Sequence, residues 1–77
     1  MNDEYITRDI YLASYLFLSE FKLINRQYKK GLVYFIFDSS PKLKDCVMKY
    51  HSGNTKVEPV RFIETIRRFR KLIQDTI

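Results

Sequence analysis

Tryptophan is absent from this 77-residue chain, cysteine and histidine occur once each, and glycine and proline twice each. A single cysteine excludes an internal disulfide, and with no secretory signal in view it fits a reducing cytoplasm. The opening Met1-Asn2-Asp3-Glu4 is acidic where a signal peptide is basic. The longest nearly apolar run, Ile10–Leu18, has about half of the ~20 residues a membrane-spanning helix needs, so a soluble protein with no membrane partner is expected. Two glycines are too few for a phosphate-cradling loop. Cys46 and His51 lie on one predicted helix and point about 140° apart, which rules out a nucleophile–base pair between them. Two such ligands are also too few for zinc. The carboxylates are scattered, with no pair placed for acid–base work. These absences argue against an enzyme and imply no catalytic residue, cofactor or metal.

What is present is apolar bulk and positive charge. Aromatics make up 16% of the chain, six tyrosines and six phenylalanines, which excludes disorder. No repeat, linker or low-complexity segment divides residues 1–77, so one small domain is expected. At this size a folded chain buries only roughly 60–65% of the surface it exposes unfolded. With neither disulfide nor metal to add stability, a homodimer is the remaining means of support. The net charge is +5, which suits DNA, RNA or an acidic protein surface as partner.

The chain is organised around Lys30-Gly31-Leu32-Val33-Tyr34-Phe35-Ile36-Phe37-Asp38. Its β-branched and aromatic residues lie between turn signals, the pattern of a buried strand. Alternation places Leu32, Tyr34 and Ile36 on one face and Val33, Phe35 and Phe37 on the other, so both faces need cover. Lys22–Tyr28 reads as the partner strand of a β-hairpin whose turn is Lys29-Lys30-Gly31. Upstream, Glu4-Tyr5-Ile6-Thr7 reads as an edge strand. Thr7 or Asp9 then caps a helix over about Ile10–Phe21. That helix is apolar nearly all round, which points to burial on several sides and again to a second subunit. Ser40-Pro41 starts another helix, with a buried stripe of Leu43, Cys46, Val47 and Tyr50, ended by Gly53. Val57 suggests one more short strand. From Pro59 a last helix buries Phe62, Ile66, Phe69 and Ile73, flanked by Ile63 and Leu72. The expected order is β-α-β-β-α-β-α: an α+β fold with a small antiparallel sheet, a central β-hairpin and about three helices.

Two stretches carry functional signals. The central strand partly matches an RNA-recognition strand through Lys30-Gly31, Tyr34 and Phe37. Leu32 stands where that motif has an aromatic, Val33 where it has a small residue, and Tyr34 and Phe37 fall on opposite faces. A core strand with a dimer seam is therefore the better reading. On the last helix, Arg61, Arg67, Arg68, Arg70 and Lys71 form a basic patch whose guanidinium forks suit phosphate. Lys42, Lys44 and Lys49 extend it if the second helix lies alongside. Glu64 is spaced to pair with Arg67 and Arg68, and Asp75 with Lys71, in which case the patch is an ordinary solvated face.

Three segments together, Thr7-Arg8-Asp9-Ile10-Tyr11-Leu12-Ala13-Ser14-Tyr15-Leu16, Phe35-Ile36-Phe37 and Val57-Glu58-Pro59-Val60-Arg61-Phe62, resemble a family of short bacterial and phage proteins known as a domain of unknown function. The resemblance spans most of the chain. It implies a small α+β domain from a bacterium, phage or mobile element, and carries over no catalytic residue.

The first expectation is a non-enzymatic domain that binds nucleic acid as a homodimer, through Arg61, Arg67, Arg68, Arg70 and Lys71 with Lys42, Lys44 and Lys49. The alternative is a protein-interaction module, an adaptor or inhibitor of a host protein, docking through apolar surface of the first helix or the central strand. The interface expected for a dimer or a partner is Tyr11, Tyr15, Leu18, Leu32, Tyr34 and Ile36. A small-ligand binder with an aromatic-lined dimer cleft is a third class.

Overall fold

The central strand is in place, with a strand on each edge and all three helices packed on one of its faces. A computed structural model describes residues 3–77. The elements are β1 (Glu4–Thr7), α1 (Ile10–Leu18), β2 (Leu23–Lys29), β3 (Leu32–Asp38), α2 (Pro41–Ser52) and α3 (Pro59–Thr76). The antiparallel sheet has the order β1-β3-β2, giving the expected α+β fold. Lys30 and Gly31 both adopt positive φ, 53° and 80°, as the two central residues of a tight hairpin turn that follows the twist of its strands. Leu32 then pairs with Lys29, Val33 with Tyr28 and Tyr34 with Gln27.

The two faces of β3 differ as alternation predicts. Val33, Phe35 and Phe37 are buried with Leu12, Ala13 and Leu16 of α1, Leu43 of α2 and Phe69 of α3. Leu32, Tyr34 and Ile36 look the other way, beside their cross-strand neighbours Lys29, Gln27, Asn25 and Ile6.

Local bonds set the helix starts. Asp9 accepts from the amides of Tyr11 and Leu12, while Thr7 Oγ1 accepts from Asp9 N, so both candidate caps are used in series. Ser40 caps α2 through Leu43 N, and Gly53 ends it in the left-handed conformation. Glu58 caps α3 by accepting from Val60 N and Arg61 N, with Pro59 in the first turn, where its missing amide costs nothing.

Two expectations are corrected. α1 stops at Leu18 rather than Phe21, because Glu20 turns to a φ of 72° and Phe21 N donates back to Leu16 O. Phe21 thereby folds onto the core. No strand forms at Val57, and the order is β-α-β-β-α-α. Val57 pairs with neither edge strand, β1 or β2, and instead lines a hollow with Leu18, Ser19, Lys56, Glu58 and Arg61.

The apolar circumference of α1 is covered largely by its own chain. The sheet side takes Leu12 and Leu16, and α3 and α2 both pack on the same helix. Ala13 and Ser14, its smallest side chains, are fully buried. Small side chains let a neighbouring helix approach the backbone, and Ser14 satisfies its hydroxyl on Ile10 O at 2.6 Å. The all-round pattern therefore does not require a second subunit.

Candidate functional site

α3 is the longest element, and its two sides have opposite character. Phe62, Thr65, Ile66, Phe69, Leu72 and Ile73 face the protein, while Arg61, Arg67, Arg68, Arg70 and Lys71 are all exposed. Arg67 to Lys71 span only about 6 Å of helix axis. Ile63, expected beside the buried stripe, is 49% exposed and lies among these charges.

Two of the arginines are engaged by α1. Arg70 Nη2 donates to Tyr11 Oη at 3.2 Å, and the Arg68 guanidinium lies 5.7 Å from the centre of the Phe17 ring. Tyr11 and Phe17 sit near opposite ends of α1, 45% and 39% exposed. Arg68 and Arg70 point about 160° apart around the helix, so the two contacts lie on either flank of Phe69. Sequence spacing suggests pairing along α3 itself. The Arg70–Tyr11 bond joins residues 59 positions apart, and no local pattern signals it.

The lysines of α2 do not extend this surface. Lys42, Lys44 and Lys49 are exposed, but α2 and α3 each pack on α1 rather than side by side. Against α3, between Phe17, Leu23, Phe69 and Leu72, lies a cleft of about 260 Å³ with Arg68, Lys71 and Asp75 among its lining residues.

The residues expected at a dimer or partner interface fall into separate groups. Tyr15 is only 9% exposed, its ring centred 5.6 Å from that of Tyr50. Burial, with the Cys46 thiol beside it, pushes the Tyr15 phenol above its usual value. This places Tyr15 in the packing between α1 and α2, not on an open surface. Tyr11 and Leu18 belong to the helical layer. Leu32, Tyr34 and Ile36 belong to the opposite, open face of the sheet, where Ile36 is itself sealed to 2% exposure.

The remaining chemistry is sparse. Cys46 is half-buried, and His51 meets Tyr50 edge-on at 5.5 Å. Among the described residues no group of three or more His, Cys, Asp or Glu is placed to hold a metal ion. No helix among them is long and apolar enough to cross a membrane. Burial raises the Tyr50 phenol, helped by the nearby Asp9 carboxylate, and burial likewise raises Tyr5.

Fold and surface together define a small α+β domain with all its helices on one sheet face and an arginine-rich outer helix. Residues 2–75 match the family model described as Domain of unknown function (DUF5659), and the chain belongs to that family. No curated protein and no solved structure matches the chain.

Proposed function

We propose that this chain is a non-enzymatic domain that binds nucleic acid along the exposed side of α3. The observation that carries this reading is the cluster Arg67, Arg70 and Lys71 on one side of α3, with Arg70 steadied on Tyr11 and Arg68, on the other flank of the helix, steadied on Phe17 of α1. An arginine already held on an aromatic surface loses less freedom on meeting a phosphate, and that ordering normally costs roughly 0.5–1.5 kcal/mol per side chain. Guanidinium forks match phosphate oxygens two at a time. Tyr11 and Phe17, exposed beside them, offer faces on which bases of a single strand can stack. The alternative, host-protein docking through α1, has less surface to use, because Leu12 to Leu16 are buried within the chain itself.

Fluorescence anisotropy with labelled duplex DNA, single-stranded DNA and RNA tests the proposal. Affinity should fall with salt, with a log–log slope of about −3 to −4 for four phosphate contacts. Arg67→Glu/Arg70→Glu should weaken binding at least about tenfold while leaving the melting temperature nearly unchanged. Absence of binding to all three probes at low salt sinks it.

A further inference from the structure

We propose that the open face of the sheet seats a second copy of this chain, packed face to face about a two-fold axis that lies across the strands. The proposal does not depend on the reading of α3, which lies on the other side of the sheet.

The face has a low apolar middle. Ile36 is 2% exposed at its centre, Tyr34 is half-buried next to it, and Ile6 stands 50% exposed at the edge. Lys29, Lys30, Gln27, Ile6 and Tyr34 together line a shallow hollow of about 310 Å³. Ile36 is too buried to be touched, so Tyr34, Ile6 and Leu32, itself 40% exposed, supply the apolar surface that sheet-on-sheet packing at about 10 Å covers.

Charge is separated along the strands. Lys29 and Lys30 mark the hairpin end, and Arg8 is exposed beside Gly31 and Leu32. Asp9, next to Arg8 in the chain and lining the same hollow, is occupied in capping α1. At the far end Glu4 and Asp38 are direct cross-strand partners on the same face, an arrangement that costs stability when both are charged. Asp3 precedes Glu4 and alternates to the other face, its carbonyl accepting from Ser39 N, so the acidic end rests on Glu4 and Asp38, two carboxylates against the single Lys22 just before β2.

From Leu32 to Asp38 is about 20 Å along the strand, more than twice the ~8 Å screening length at physiological salt. The lysines at one end of a chain therefore cannot relieve the carboxylates at the other. A second copy turned end for end lays its basic end over the acidic end of the first, and the same contact is made twice by symmetry. The face is self-complementary in charge and apolar between. That is the basis for naming a second copy as its occupant rather than a nucleic-acid strand, which the acidic end repels.

Sedimentation equilibrium on the wild-type chain and on two charge variants tests this. The wild type should show a concentration-dependent dimer. Lys29→Glu/Lys30→Glu and Glu4→Lys/Asp38→Lys should each dimerise at least about tenfold more weakly, because like charges then face each other. Mixed in equal amounts, the two variants should restore a one-to-one dimer, since one is acidic at both ends and the other basic. Tyr34→Glu, in the apolar middle, should weaken the dimer without unfolding the chain by circular dichroism. A wild type that stays monomeric into the millimolar range overturns the proposal, and so do charge variants that dimerise as the wild type does. A mixture of the two folded variants that does not associate overturns it as well.

Discussion

Phe69 of α3 meets Phe35 of β3 edge-on, ring centres 4.8 Å apart and planes at 80°. The same Phe69 ring lies 5.9 Å from Phe17 of α1. One side chain thus joins the sheet, the central helix and the outer helix.

Replacing it should be severe. Phe69→Ala removes a ring that is 2% exposed, a loss of about 3–5 kcal/mol. A domain of this length has on the order of 4–12 kcal/mol in total, so the loss is a large fraction of it and the urea midpoint should fall steeply. Ile63→Ala, on the same helix but half exposed, should change stability by less than about 0.5 kcal/mol. Urea titration of both variants decides this. Equal midpoints would mean that α3 is not anchored through Phe69.

Enlarging α1 where it is smallest tests how that helix is covered. Ala13 is fully buried, and Ala13→Leu adds bulk where packed helices leave none, at a cost of about 1–3 kcal/mol. Were that surface instead open in the single chain, the leucine would leave the melting temperature unchanged or raise it.

Alkaline pH should destabilise the fold. Burial raises the Tyr5, Tyr15 and Tyr50 phenols above their ordinary value of 10.0, so near that pH the unfolded chain loses protons that the folded chain keeps. The stabilisation is fully present below pH 10 and is lost as pH rises through the raised values. Urea midpoints from neutral pH to about pH 11 should fall, and Tyr15→Phe/Tyr50→Phe should flatten the decline. The same slope in that double variant would assign the decline to other groups.

Much of the fold was legible because its signals are local. Asp9 and Ser40 bind amides two and three residues on, and the hairpin turn centres on Lys30 and Gly31. The misread elements needed distant information. Ending α1 at Leu18 required Phe21 to find the core. Val57 has the β-branched side chain of a strand residue, but the connection from α2 to α3 that holds it reaches neither edge strand for pairing. The basic patch was legible as composition, but its division was not, because sequence spacing does not say that α2 and α3 lie on different parts of α1.

By itself the sequence determined a small α+β domain with a central strand apolar on both faces, capped helices and an arginine-rich last helix. Period-two alternation, side-chain caps and turn residues act over a few positions and need no knowledge of the rest. Tertiary structure alone decided that α1 is covered from within and that Tyr15 is buried. It also decided that Arg68 and Arg70 rest against Phe17 and Tyr11, and that the open side of β3 lies between a basic and an acidic end. Those outcomes depend on which elements cross which, and packing over long sequence separations sets that arrangement.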